Sequence, residues 1–393
     1  MSSRPNGNGE RAARLQSLTQ TGPDTLMGKL LRRFWHPVAV AERLAPGTAQ
    51  SLRIMCEDLT LYRGESGKAY LVGGRCAHRC TVLHTGWVKD DQIRCMYHGW
   101  RYDGDGRCTE MPAEKNAKLD LVRIASYPLH EYCGLIFAYM GEGPVPAFEL
   151  PRKDVLELPG CGVAPREEIW DCHWLQQAEN SLDSTHLSFA HQWPQPSRLG
   201  EEIGDAIPEL TYEETAGGIR QTATRTGGQP RISNWTFPNN NHVLSAPPRK
   251  GDPWINTIAW AVPIDDERTL RFSLYVHPGG ETGADLLRAG LVANVQATEH
   301  AGDIFERNRL PQEAVGAVAL VLQDYAAVRG QGVVHDRSGE RLGASDAGVA
   351  LLRRILFREL DAVRGGTPTK QWTRIASPAS MLEAVRSGGN RKD

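Results

Sequence analysis

The chain has 393 residues, enough for two domains of ordinary size. Apolar residues make up 40% and charged residues 23%, which is typical of a globular protein and excludes a disordered one. Lys and Arg (45) nearly balance Asp and Glu (47), so bulk charge does not indicate a nucleic-acid partner. Without a long apolar run or a signal-peptide core, we expect a cytoplasmic protein that does not span a membrane.

The first half of the chain predicts a small all-β domain. Residues 1–15 are polar and predict a disordered tail, and a short helix is expected at 27–34, before Pro37. Short apolar runs separated by glycine-containing turns then predict strands. A Pro- and Gly-rich stretch places the domain boundary near residue 150, so the first domain, including the helix, covers 16–150.

The second half mixes helix and strand signals and contains no internal repeat of 20–50 residues. It predicts a mixed domain at 151–365 and a C-terminal segment at 366–393. The expected elements are a helix at 170–191, successive strands over 207–277 with turns at 217–218, 227–228 and 247–248, a helical region at 283–330 and a helix at 345–363.

Two Cys/His pairs in the first domain, Cys76-x-His78 and Cys95-x-x-His98, have the spacing of a metal site. Thiolates and imidazoles bind borderline-soft metals, and each pair can lie at the tip of a β-loop. A zinc ion would use all four side chains on one tetrahedral centre. A Rieske [2Fe–2S] cluster instead gives two cysteines to one iron and two histidines to the other.

The residues that flank the two pairs favour the Rieske cluster. Arg79 follows the first pair and Gly99-Trp100 follows the second, where a glycine lets the backbone approach a cluster closely. Cys80 and His84 lack ligand spacing, so we interpret them as a small buried side chain and a loop histidine. The remaining cysteines show no pairing pattern and are interpreted as free thiols: Cys56, Cys108, Cys133, Cys161 and Cys172.

A second group of potential ligands lies near the start of the second domain, at residues 179–191. Asp183 and His186 are three residues apart and would share a helix face, whereas His191 would lie about 140° away on a straight helix. The two histidines therefore converge only if the helix ends, bends or bulges between them. Two histidines and one carboxylate form the facial triad of non-haem Fe(II) oxygenases, which predicts an iron site here.

The carboxylate of this triad is expected from a distant part of the chain. Asp324 lies in an apolar helical run, where a buried carboxylate is costly unless a cation such as a metal ion pairs with it. The alternative is that Asp324 lies on a solvated edge of that helix. Asp303 and Glu306 are weaker candidates because their surroundings are polar.

Two further residues of this motif are candidates for supporting roles. Asp183 is predicted to accept a hydrogen bond from the non-ligating nitrogen of His186 and so to orient its ring, with helix capping as the alternative. Asn180, one turn earlier, is predicted to approach the iron, with a structural role as the alternative.

Together the two sets of motifs resemble the catalytic (alpha) subunit of Rieske non-haem iron ring-hydroxylating oxygenases. The stretches at 18–37 and 323–346 are similar to the phthalate dioxygenase-like group, and the resemblance covers roughly 16–360. It implies an α+β protein, in which an all-β Rieske domain precedes a helix-grip (START-like) catalytic domain with an antiparallel sheet and helices.

The resemblance also implies roles for single residues and a head-to-tail ring, either a homotrimer or a dimer of trimers. In that ring, Asp183 would bridge His186 to the neighbouring subunit's cluster ligand that corresponds to His98. The implied cluster ligands are Cys76, His78, Cys95 and His98, and the implied iron ligands are His186, His191 and Asp324.

These features predict the terminal oxygenase of a multicomponent system, which hydroxylates or O- or N-dealkylates a small aromatic compound with O₂. Since the sequence shows no dinucleotide or flavin motif, electrons are expected from a separate NAD(P)H-dependent reductase, for instance one with flavin and ferredoxin domains. The alternatives are a Rieske electron-transfer protein and a zinc-stapled binding protein. The substrate stays open, because Arg225 or Arg231 would suit an acid and the Asn run at 239–241 a neutral or polar aromatic.

Overall fold

The structure, a computed structural model, divides the chain into two compact units. One comprises Arg32–Ala147, and the other comprises Met1–Leu31 with Phe148–Asp393. Of the tail expected at 1–15, residues 1–12 lie outside the described residues, and 13–15 are helical. The turn expected at 247–248 also lies outside them. The residues described are 13–204, 206–228, 230–245, 254–288, 296–312, 314 and 317–386.

The N-terminal helix belongs to the second unit, which corrects its assignment to a first domain at 16–150. This helix, α1, is shorter than expected and spans Leu26–Leu31, because a strand begins at Trp35. Just before it, the backbone N–H and the hydroxyl of Thr21 both donate to Oδ1 of Asp266, at 2.7 and 2.9 Å. These contacts attach the segment to the second unit.

The unit at Arg32–Ala147 is all-β, as predicted, and its strands form three antiparallel sheets. The sheet orders are β1-β11-β10, β2-β3-β4-β9 and β5-β6-β7-β8. The strands are β1 Trp35–Val40, β2 Ala49–Ile54, β3 Glu57–Arg63, β4 Ala69–Gly73, β5 Trp87–Lys89, β6 Gln92–Arg94, β7 Arg101–Tyr102, β8 Cys108–Glu110, β9 Ser126–Tyr127, β10 Leu129–Tyr132 and β11 Leu135–Tyr139.

The second unit contains a seven-stranded antiparallel sheet, in the order β12-β18-β17-β16-β15-β14-β13. Its strands are β12 Gly162–Trp170, β13 Glu209–Glu214, β14 Gly218–Thr224, β15 Arg231–Thr236, β16 Asn240–Ser245, β17 Ile255–Pro263 and β18 Thr269–His277. The helices that follow α1 are α2 Trp174–Asn180, α3 Arg198–Ile203, α4 Gly280–Leu287, α5 Ala301–Phe305, α6 Ala317–Arg329, α7 Ala347–Arg364 and α8 Ala379–Arg386. The predicted α+β class is confirmed.

The helix expected at 170–191 is wrong in extent. Only Trp174–Asn180 is α-helical, and the histidines lie on two short 3-10 turns, His186–Ser188 and Ala190–Gln192. The cause is local: Oδ1 of Asp183 accepts hydrogen bonds from the backbone N–H groups of Thr185 (2.8 Å) and His186 (3.3 Å), which starts a new turn. The helical region expected at 283–330 is likewise divided, into α4, α5 and α6.

A buried ion-pair network holds helix α2 in place. Glu179 lies at the C-terminal end of this helix. Its carboxylate accepts hydrogen bonds from Nη2 and Nε of Arg337, at 2.8 and 3.2 Å, and from Nε of Arg353 at 2.7 Å. All three side chains are buried. Such a bidentate pair is rigid as well as strong, so it fixes the end of α2, directly before the predicted iron-site residues.

Helix α6 is anchored in a similar way. Its residues Leu322 and Tyr325 are fully buried in the core that includes Trp170 at the end of β12. The Tyr325 hydroxyl donates to Oδ1 of Asp171 at 2.6 Å, and Nε of Arg329 donates to the other oxygen of Asp171 at 3.1 Å. The position of Asp324 is thus set by packing on both sides.

Candidate metal centres

Three side chains of the second unit converge on one point. Nε2 of His186 lies 3.3 Å from Oδ1 of Asp324, and Nε2 of His191 lies 3.6 Å from the same oxygen. One ligand atom from each residue lies within 4.8 Å of the others. Two imidazole nitrogens and one carboxylate oxygen are the donor set of a facial triad, so this arrangement can hold one metal ion.

The pKa shifts and buried atoms of these three residues fit a bound cation. Burial would raise the pKa of Asp324, but His191 and His186 hold it well below its usual range. Burial opposes protonation of His186, but its contacts with Asp183 and Asp324 raise its pKa to about 9. Nε2 of His191 is buried and has no hydrogen-bond partner among the residues that the structure describes. A bound metal ion supplies both the positive charge and the acceptor for this lone pair.

Asn180 and Asp183 both contact the predicted ligands. Nδ2 of Asn180 donates to Oδ1 of Asp324 at 3.2 Å, so this side chain meets a ligand carboxylate. Oδ1 of Asp183 caps the first 3-10 turn, and its Oδ2 faces Nδ1 of His186 at 3.6 Å, just beyond hydrogen-bond distance. The weaker candidate Asp303 is instead engaged by Arg307 and Arg309.

The four Cys/His residues of the first unit are paired by element. Cys76 and His78 follow β4, and Cys95 and His98 follow β6. The rings of His78 and His98 lie 4.5 Å apart, while burial and the neighbouring Cys76 raise the pKa of the Cys95 thiol. The two thiols are thus neighbours, as are the two imidazoles, which is the pairing that a two-iron cluster needs.

The loops that carry these residues are shaped for close approach. Gly99 has a φ of +76°, which favours glycine, and its N–H donates to the Cys95 carbonyl at 3.1 Å. The Trp100 ring stacks on His78 at 4.6 Å, and within the described ranges the buried Nδ1 of His78 has no hydrogen-bond partner. The residues present thus fit the cluster, with an imidazole nitrogen available as a ligand.

One cysteine interpretation is wrong. Cys80 is exposed, not buried. It lies in a tight turn with a φ of +58°, and its own backbone N–H donates to the Cys76 carbonyl. His84 lies on a short 3-10 helix at Leu83–Thr85, in keeping with a loop histidine. As expected, the structure shows, over its described residues, no disulfide at Cys56, Cys108, Cys133, Cys161 or Cys172.

Comparison with known proteins decides the family. The family model "Rieske [2Fe-2S] domain" matches residues 34–128. The chain is 30% identical to the 5,5'-dehydrodivanillate O-demethylase oxygenase subunit of Sphingobium sp. (strain NBRC 103272 / SYK-6), over 94% of this chain and 87% of that protein. The chain belongs to the alpha subunits of Rieske non-haem iron oxygenases.

Two further similarities agree with this family. The chain is 29% identical to the phthalate 4,5-dioxygenase oxygenase subunit of Pseudomonas putida, over 87% of this chain and 84% of that protein. The solved terminal oxygenase of carbazole 1,9a-dioxygenase from Novosphingobium sp. KA1 has the same fold, with a TM-score of 0.64 and 17% identity over 91% of this chain and 98% of that one. The predicted resemblance to the phthalate dioxygenase-like group is confirmed.

Family membership establishes the cofactors and the class of enzyme. As a Rieske oxygenase alpha subunit, the protein uses a Rieske [2Fe–2S] cluster, a mononuclear non-haem iron and O₂. It is the terminal oxygenase of a multicomponent system, and the electron-transfer and zinc-stapled alternatives are not favoured. In the described part of the chain, no helix combines the length and apolar character needed to cross a bilayer.

A cavity of about 130 Å³ adjoins the iron-site residues of this oxygenase subunit. An apolar protein cavity of about 150 Å³ holds a benzene molecule, so this space suits one aromatic ring. Arg231, Asn239 and Asn241 line it, as does Arg271, which the sequence reasoning missed. Arg225 does not belong to its described lining and instead donates to the Ala206 carbonyl at 2.9 Å.

Sequence reasoning also missed a tyrosine beside the cluster. The Tyr102 hydroxyl oxygen accepts the backbone N–H of Ala77 at 3.0 Å and lies 3.2 Å from Sγ of Cys76. A cysteine sulfur that binds iron carries no proton, so with a cluster bound the Tyr102 hydroxyl would donate to Sγ of Cys76. The only signal was its position in the motif, four residues after His98.

The Tyr102→Phe variant of this Rieske oxygenase should have a lower cluster midpoint potential. A hydrogen bond to a cysteine sulfur stabilises the more negative, reduced cluster, and the phenylalanine ring keeps the packing. Redox titration followed by the visible spectrum measures the shift. Tyr62→Phe is the control, since the Tyr62 hydroxyl donates to a backbone carbonyl, that of Asp91, at 3.2 Å. Equal potentials for Tyr102→Phe and wild type would contradict the proposed hydrogen bond.

Proposed function

We propose that His186, His191 and Asp324 bind the catalytic iron of this oxygenase. The observation that carries the proposal is the convergence of their three ligand atoms within 4.8 Å, at a buried His191 nitrogen that no described residue hydrogen-bonds. The bound iron supplies the chemistry with O₂, while the chain binds the substrate, orients it and excludes water. We assign the cluster to Cys76, His78, Cys95 and His98, which pair sulfur with sulfur and imidazole with imidazole.

We further propose that the substrate is a small aromatic acid, which the enzyme hydroxylates or dealkylates. Two named relatives act on dehydrodivanillate and phthalate, which are both aromatic acids. The cavity fits one ring, and Arg231 and Arg271 line it. A guanidinium group pairs well with a carboxylate, and Arg271 is held near the cavity by Trp170, whose ring lies 5.1 Å away, and by Glu168 at 3.9 Å.

The proposed partners are a separate NAD(P)H-dependent reductase and other copies of the chain. We propose a ring, trimeric or a dimer of trimers, in which Asp183 links His186 to the partner subunit's His98. Support comes from Oδ2 of Asp183, which lies 3.6 Å from Nδ1 of His186 on a side chain that keeps 29% of its surface exposed. Its other oxygen is already engaged by the backbone, so Oδ2 is the atom available to both rings.

Removing a proposed iron ligand should remove the mononuclear iron alone. His186→Ala and Asp324→Ala are expected to lose that iron and all turnover, because the two ligands that remain are too few to bind it. Both should keep the Rieske visible spectrum, since the cluster lies in the other unit. Iron per chain and the spectrum are the measurements. Asp303→Ala serves as the control and should keep the iron. If Asp303→Ala loses the iron and Asp324→Ala keeps it, the third ligand would be Asp303 and not Asp324.

The substrate class is tested by oxygen uptake and product analysis with a generic reductase. Aromatic acids should be turned over and their methyl esters poorly. Arg231→Gln and Arg271→Gln should each raise KM for the acid about 10- to 100-fold, the effect of one charge-assisted hydrogen bond. Arg225→Gln is the control and should leave KM unchanged. Turnover of neutral aromatics but not of acids would contradict the proposal.

Asp183→Asn separates the charge of Asp183 from its capping role. Asparagine keeps an Oδ1 to accept the two backbone N–H groups, so the turn, both metals and the ring should persist. Loss of the negative charge should abolish most turnover, because the link between the two imidazoles is weakened. Single-turnover kinetics should show a cluster that reduces normally but transfers its electron slowly. An active wild-type monomer by light scattering, or an unchanged transfer rate, would contradict the bridging role.

A further inference from the structure

We infer that Gln323 is a positioning residue, which determines the ring nitrogen that His191 presents to the iron. The inference rests on the proposed function, in which His191 is an iron ligand. Gln323 lies on α6, next to Asp324, and only 1% of its surface is exposed. Its Nε2 donates to the carbonyls of Trp193 (2.6 Å) and Gln195 (3.0 Å), and its Oε1 lies 3.1 Å from Nδ1 of His191.

The orientation of the Gln323 amide follows from its neighbours. Backbone carbonyls only accept hydrogen bonds, so the amide nitrogen of Gln323 must face Trp193 and Gln195. A flipped amide would place its oxygen against these two carbonyl oxygens, and the three acceptors would repel one another. The oxygen therefore faces His191, whose Nδ1 must carry the proton to donate to it.

The tautomer of His191 follows from this contact. With the proton on Nδ1, the neutral ring has its lone pair on Nε2. Nε2 is the atom that lies 3.6 Å from Oδ1 of Asp324, and it is buried without a hydrogen bond to any residue in the described part of the chain. Gln323 thus prepares the nitrogen that a metal ion requires, before any metal binds.

Gln323 also connects the two chain segments that carry the ligands. His191 and Asp324 lie on separate elements, and Gln323 bonds α6 to the ring of His191 and to the backbone of the segment that follows it. One side chain therefore fixes both the separation of the two ligands and the proton position of one of them. A glutamine that merely anchors a helix would need no contact with a ring nitrogen.

The test compares two variants of the holoenzyme after chelation and readdition of its mononuclear iron. Gln323→Leu removes the acceptor, so Fe(II) affinity in competition with a chelator should fall about 10- to 100-fold while the Rieske spectrum persists. Long-range ¹⁵N–¹H spectra of ¹⁵N-histidine protein, with the cluster but without mononuclear iron, should show His191 losing its single Nδ1–H form. Gln323→Glu keeps an acceptor for Nδ1–H but loses the donor to the Trp193 and Gln195 carbonyls, so it should retain that form and bind Fe(II) with an affinity between those of Gln323→Leu and wild type.

Gln176 provides a matched control in the same unit. It is buried, its Nε2 donates to the carbonyls of Val328 (3.0 Å) and Gly332 (2.9 Å), and its Oε1 accepts the His335 N–H at 3.0 Å. Gln176→Leu should lower the melting temperature without lowering Fe(II) affinity. An equal loss of iron in Gln176→Leu, or wild-type affinity in Gln323→Leu, would overturn the inference.

Failure of the proposed function gives a different result. His191→Ala, measured alongside, should lose the mononuclear iron outright. If His191→Ala binds Fe(II) like wild type, His191 is not a ligand, and the proposed iron site is wrong whatever the glutamine variants show.

Discussion

A carboxylate buried in an apolar helix is the constraint around which the iron site is built. Asp324 lies on α6 between side chains that pack into the core, and only 8% of its surface is exposed. A charge in such a place is tolerated only when positive charge and donors surround it. Asn180, His186 and His191 meet this need from a part of the chain more than 130 residues away. A divalent metal ion bound by the proposed ligands His186, His191 and Asp324 would complete the compensation.

The supports of this arrangement do not depend on the metal. Helix α2 is held by the buried pairs of Glu179 with Arg337 and Arg353, and α6 is held by the bonds of Tyr325 and Arg329 to Asp171. Breaking one partner of a buried ion pair costs about 3–5 kcal/mol, so these contacts resist displacement. The ligands are therefore pre-positioned by ordinary packing and ion pairing, which lowers the cost of metal binding.

The sequence was sufficient wherever the chemistry is local. The Cys/His spacings predicted the cluster, and the geometry of a straight helix showed that the chain must be interrupted between His186 and His191, as it is. The length of α2 was overestimated, because periodicity does not reveal that Asp183 caps a new turn. Gln323 and Arg271 were missed for another reason. Their roles arise from contacts with His191 and the cavity that only the tertiary fold brings together.

Each metal centre is complete within one unit. All four proposed cluster ligands lie within Arg32–Ala147, and all three proposed iron ligands lie in the other unit. Loss of one centre therefore leaves the fold that holds the other intact, so iron content, cluster spectrum and turnover report on separate parts of the molecule. Substrate selection is separate again, because strands β15 to β18 supply cavity residues that bind neither centre. The same metal chemistry can thus serve a different substrate when Arg231 or Arg271 changes.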